Sequence, residues 1–157
     1  MLNQAAPLPL KDPSLFRQAC LVDGKWIEAD SGRTIAVPNP ATGEIIGTVP
    51  ALGAAETRRA IEAANRAYPA WRALTAKERS AVLRKLFDLM IANADDLALL
   101  MTSEQGKPLA EAKGEVVYAA SFVEWFAEEG KRAYGDVIPQ NVKGRRILVM
   151  KEPVGVF

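Results

Sequence analysis

One cysteine and no histidine decide most of the chemistry open to this chain. Without histidine there is no Ser-His-Asp or Cys-His nucleophile and no imidazole general base. Cys20 has no Cys-x-x-Cys partner and no helix N-terminus to lower its thiol pKa, and it precedes the first expected hairpin. It reads as a small apolar side chain under an amino-terminal arm. A single cysteine excludes an internal disulfide and, with no histidine, the usual zinc ligand sets. Glu104 and Lys107 flank Gly106 and could form an acid/base pair, but Gly106 followed by Pro108 is a helix stop signal. Tyr118, Phe122 and Trp125 stand at i, i+4 and i+7, so they share one helix face, and such aromatic stripes usually pack in a core. The pairs Arg58-Arg59, Lys131-Arg132 and Arg145-Arg146 read as solvated faces, because exposed charges are screened within about 8–10 Å. No P-loop, EF-hand loop or three-glycine dinucleotide fingerprint is visible. The residues therefore offer no catalytic, cofactor-binding or metal-binding group.

The elements that hold these residues follow from local signals. Residues 1–20, with Pro7, Pro9 and Pro13, read as a surface arm. Asp23-Gly24 between Leu21-Val22 and Lys25-Trp26-Ile27 predicts a tight hairpin. A second extended pair, Thr34 to Val37 and Glu44 to Val49, surrounds Pro38-Asn39-Pro40-Ala41-Thr42-Gly43, where the prolines keep the chain extended and Gly43 permits the reversal. From Ala54 onward strong helix formers dominate. The first helix is expected from Ala54 to Tyr68, with Ala60, Ile61, Ala64 and Tyr68 on one side and Pro69 as its stop. Thr75 and Glu78 form a capping box that opens a second helix, directing Val82, Leu83, Leu86, Leu89 and Met90 to the core. Asn93 suits the N-cap of a third helix, with Asp95 and Asp96 near the positive end of its dipole. A fourth runs from Leu109 to about Ala133. Two β-prone runs close the chain, Arg146 to Lys151 and Val154 to Phe157. The predicted fold class is α+β: amino-terminal β-hairpins, four helices and two terminal strands awaiting partners.

At 157 residues, 49% hydrophobic and 25% charged, the chain has ordinary globular composition and can form one modest domain. Its 20 Lys+Arg and 19 Asp+Glu balance to a net charge of +1 without a basic stripe, so no nucleic-acid partner is expected. There is no signal-peptide leader and no apolar run long enough to cross a bilayer. A cytoplasmic protein with no membrane partner is the expectation.

Three segments in this order resemble the aldehyde dehydrogenase superfamily: Asn39-Pro40-Ala41-Thr42-Gly43-Glu44, Glu104-Gln105-Gly106-Lys107-Pro108 and Lys151-Glu152-Pro153-Val154-Gly155-Val156. The resemblance covers the chain beyond the arm. The run from Phe122 to Arg132, followed by Tyr134-Gly135-Asp136, is similar to the succinate-semialdehyde dehydrogenase branch. The glutarate-semialdehyde enzymes share much of it, and a pocket separates substrates differing by one methylene by only about 1–3 kcal/mol.

The resemblance implies the amino-terminal portion of an α/β enzyme that oxidises an aldehyde to a carboxylic acid with NAD or NADP. The family does this through a cysteine thiohemiacetal, hydride transfer, and thioester hydrolysis by water that a glutamate activates. Those residues, the oxyanion asparagine in a Thr-Pro-Trp-Asn segment, the substrate-carboxylate arginine and the cofactor loops are expected downstream of Phe157. The 157 residues alone are therefore expected to be inactive. The resemblance also implies that Tyr118, Phe122 and Trp125 line the substrate tunnel, and that carbonyls near Asn39 with a carboxyl near Glu104 can hold a monovalent cation. It divides the chain into the arm (1–20), hairpins and helices of the cofactor-binding domain (21–144), an oligomerisation-type strand (145–152) and the start of a sheet strand (153–157). A homo-oligomer follows. A different class of function, a non-enzymatic module docking to full-length subunits through unpaired strands, also fits the sequence.

Overall fold

The computed structural model describes residues 6–156. Its strands form three separate antiparallel hairpins. Strands β1 (Cys20–Val22) and β2 (Lys25–Ile27) pair with Leu21 opposite Trp26. Asp23 and Gly24 both have positive φ, 53° and 72°, which gives the turn the twist its strands require. Cys20 thus lies in the first strand, half-buried opposite Ile27, and not ahead of the hairpin as its position in sequence suggested. Strands β3 (Thr34–Pro38) and β4 (Ile45–Pro50) pair with an irregularity between Val37 and Pro38, where proline has no amide to donate.

Helix α1 spans Ala54–Ala73 and continues through Pro69, four residues beyond the expected stop. The proline removes one amide bond, but Ala70 to Ala73 hold helical form. The chain turns only at Leu74, whose extended ψ of 146° leads into the next cap. At the other end, Glu56 is 6% exposed, and its carboxylate accepts the amides of Gly53 and Asp30, each at 3.0 Å. Arg59 completes the junction with two bonds to the Asp30 carboxylate, 2.8 and 2.7 Å.

Helix α2 (Ala76–Ala92) opens with the expected capping box: the Thr75 amide donates to Glu78 Oε2 at 2.7 Å and the Glu78 amide to Thr75 Oγ1 at 3.3 Å. Helix α3 (Ala94–Gln105) follows at once. Asn93 does not cap it with its side chain, contrary to expectation. Its backbone, at φ −106° and ψ 16°, is neither helical nor extended, and its side-chain amide donates back to the Leu89 carbonyl at 2.8 Å. Helix α4 (Leu109–Glu129) ends earlier than expected and tightens into a 3₁₀ turn over Gly130–Arg132.

α4 packs against both α2 and α3. Its buried residues are Ala112, Val116, Ala120 and Ala127, a stripe whose small side chains allow helices to approach closely. The core is correspondingly built of small residues, and no large side chain among the described residues is fully buried. Val82, Leu86 and Leu89 of α2, expected in the core, are exposed, as is Ile61 of α1, because nothing among the described residues covers those sides.

The carboxyl-terminal part corrects the expected pair of unpartnered strands. Strand β6 (Ile147–Val149) already has a partner, β5 (Asp136–Ile138), with Val137 opposite Leu148. Residues 153–156 form no strand, since no neighbouring strand among the described residues offers a ladder and Gly155 turns the chain at φ 115°. Phe157 lies outside the described residues.

Candidate functional site

The outward side of α4 carries the three aromatics singled out in the sequence. Tyr118, Phe122 and Trp125 are 65%, 47% and 62% exposed, which overturns the core-packing reading. At roughly 100° per residue, their stripe lies opposite the alanine stripe that α4 buries. Tyr118 and Phe122 meet edge to face, with ring centroids 4.9 Å apart. Phe122 and Trp125 line an open hollow of about 800 Å³ together with Phe126, Glu128 and Arg132. Tyr118 lies outside that lining. Phe126 was missed in the sequence, although its place four residues after Phe122 was a usable signal.

The hollow has an apolar floor and a charged rim. Arg132 donates to Glu129 at 2.7 Å, and Lys131 pairs with Glu128 at 2.9 Å, which holds the Glu128 carboxyl below its ordinary range. Glu124 accepts from Arg84 of α2 at 2.6 Å. Every rim cation is thus committed to a carboxylate within the chain. The walls can guide an apolar chain past them, but they do not form a site for a substrate carboxylate. The paired residues Arg59, Lys131 and Arg132 also fit the solvated-face reading of the basic pairs.

Two of the motif segments meet in space. Gly106 ends α3 in the left-handed region at φ 79°, and a Cβ there would approach Pro40 Cγ to 2.9 Å. The Asn39-to-Glu44 turn therefore rests against the end of the helix that carries Glu104. Lys107 pairs with Glu115 of α4, which pushes the lysine pKa up. Among the described residues no three His, Cys, Asp or Glu gather as metal ligands.

A nicotinamide cofactor needs a pyrophosphate site, usually a glycine-rich helix N-terminus. None of the four helix starts fits. Carboxylates occupy the amides at α1 (Glu56) and α2 (Glu78), Asp95 and Asp96 stand in the first turn of α3, and α4 starts after Pro108 with Glu111 in its first turn. Each would repel a phosphate. The described residues therefore offer no helix-terminal site for the cofactor's pyrophosphate.

The aldehyde dehydrogenase family pattern matches residues 26–157. The chain belongs to the aldehyde dehydrogenase family. A glutarate-semialdehyde dehydrogenase of Pseudomonas putida is 68% identical over 149 residues, 95% of this chain and 31% of that protein. The NADP(+) succinate-semialdehyde dehydrogenase of Escherichia coli is 62% identical over 149 residues, again 95% of this chain and 31% of the relative. Among solved structures, an aldehyde dehydrogenase of Brucella melitensis biovar abortus matches with a TM-score of 0.91 and 62% identity, covering 94% of this chain and 30% of the other. This aldehyde dehydrogenase chain thus spans about a third of the length of the relatives it matches, and it shares their amino-terminal fold of hairpins and four helices. No helix among the described residues is long and apolar enough to cross a membrane.

Proposed function

We propose that these residues are the amino-terminal part of a cytoplasmic, NAD(P)-dependent and homo-oligomeric dehydrogenase of a short dicarboxylic semialdehyde. The substrate is succinate semialdehyde or its homologue glutarate semialdehyde, and the product is the dicarboxylic acid. The supporting observation is identity of 62–68% to enzymes named for these two substrates over 95% of the chain. In this reading Tyr118, Phe122 and Trp125, joined by Phe126, form part of the wall along which the aldehyde reaches the reacting centre. The higher identity to the glutarate enzyme favours the five-carbon semialdehyde as the better substrate. One methylene is worth only about 10–200-fold in discrimination, so both should turn over.

The test is to read the codons after Phe157, express the complete product, and compare kcat/KM for both semialdehydes with that for butanal, using each cofactor. The expected result is a clear preference for the two semialdehydes over butanal, which lacks the second carboxylate. Equal or better turnover of butanal would overturn the substrate class. A stop codon directly after Phe157, with no cofactor reduction by the chain, would overturn the enzymatic reading in favour of a docking module.

A further inference from the structure

We propose that Asp96 is a latch for the amino-terminal arm, holding residues 9–15 as a releasable strap over the hollow between α3 and α4. Asp96 is the third residue of α3, where a carboxylate ordinarily folds back onto its own helix's free amides. Here it reaches outward instead. One of its oxygens accepts the backbone amide of Lys11 at 3.0 Å, and the other accepts that of Asp12 at 2.8 Å. Asp96 as a residue is 5% exposed, so these two charge-assisted bonds are partly sheltered from water. They read consecutive backbone amides and are indifferent to the side chains beyond them.

The arm is shaped to present those amides. The Asp12 carboxylate accepts the Ser14 amide at 2.9 Å and starts a 3₁₀ turn over Pro13–Leu15, which fixes the backbone at Asp12 while its amide stays free for Asp96. Beneath the strap lies a hollow of about 590 Å³, with Pro9 of the arm facing Ala98, Leu99, Leu109 and Ala110. Further along, the Gln18 side-chain oxygen accepts the Thr48 amide at 2.7 Å. Release at Asp96 would therefore swing residues 6–15 about a fixed point near Gln18.

A second set of contacts joins the same surfaces. The ammonium groups of Lys11 and Lys113 pair with Asp95 at 2.8 and 2.6 Å, but all three side chains are more than half exposed. Exposed pairs contribute little and weaken with salt. The buried amide bonds of Asp96 should therefore decide whether the strap stays down.

Hydrogen exchange read by mass spectrometry tests this on the whole protein. In Asp96→Ala, peptides covering residues 8–16 should exchange about tenfold faster or more, Leu109 to Lys113 should exchange faster with them, and α4 beyond Lys113 should stay protected as before. The double variant Lys11→Gln/Lys113→Gln, or about 0.5 M NaCl, where the Debye length is about 4 Å, should change that exchange less than about threefold. Deleting residues 1–12 removes the strap and both amides that Asp96 accepts while keeping the sequence of α3, and should raise exchange around Leu109 to Lys113 while β3 and β4 keep theirs. The proposal fails if the wild-type arm already exchanges as an unprotected chain, or if the double variant releases it as fully as Asp96→Ala. Unchanged exchange at Leu109 to Lys113 after the deletion would overturn the covering role.

Discussion

Trp125 and Phe122 are peripheral to the packing of these residues, and the proposed function gives them a part in lining the substrate path. Both are exposed on α4, so Trp125→Ala in this chain should shift stability by less than about 0.5 kcal/mol, the usual range for exposed positions. Neither can act as nucleophile or base. In the complete enzyme Trp125→Ala and Phe122→Ala should alter semialdehyde specificity or KM without abolishing turnover. Loss of all turnover in a folded variant that still binds cofactor would contradict that assignment. Glu56 is the opposite case. Its own backbone amide and those of Asp30 and Gly53 hold its carboxyl below the usual range. A depressed folded pKa contributes stability above the unfolded value, and that contribution is lost as pH falls through the folded value. The stability gap between wild type and Glu56→Gln, measured by urea unfolding, should therefore shrink as pH falls from about 7 to about 3. Asp95, drawn down to about 2 first by its bond to Lys11 and then by Lys113, should follow the same sign over a more acidic window. That the three aromatics share a face was legible from spacing alone. Which face is buried was not, because the alanine stripe on the other side has the same period.

Among the elements, those with a short-range cause were the readable ones. The Asp23-Gly24 hairpin and the Thr75/Glu78 box are each set by residues within four positions, and both stand as expected. Thr75→Ala should weaken α2 by about 1 kcal/mol, measurable by thermal or urea unfolding, and an unshifted transition would mean the hydroxyl contributes nothing. The elements misjudged depend on distant partners. Strand β5 is short and exposed along its length, and only its pairing with β6 defines it. That pairing depends on Gly135, since a Cβ there would run into the Val149 carbonyl oxygen. Gly135→Ala should open the hairpin, seen as faster exchange over residues 136–149 with the helices unaffected. Pro69 misled for a related reason: the end of α1 is set by the cap of α2 and not by the proline.

At the scale of the molecule, the described residues leave much apolar surface open, including Val82, Leu86 and Leu89 on α2, the α4 aromatics, and Val137 and Leu148 on the last hairpin. Exposed large apolar side chains in this number favour association with other protein. Expressed alone, the 157 residues should associate at micromolar concentration and form no NADH or NADPH with succinate semialdehyde. Light scattering and absorbance at the reduced-nicotinamide band test the two halves. A stable monomer would contradict the first, and cofactor reduction that disappears in Cys20→Ser would contradict the second. The latch on Asp96 has a further consequence, in time. The arm's amides and their acceptor lie 84 and 85 residues apart. At about 5–20 residues per second of synthesis, the arm leaves the ribosome on the order of ten seconds before Asp96 does. The arm is thus made well before its acceptor, so a nascent chain offers this proline-bearing segment to processing enzymes and chaperones throughout that interval.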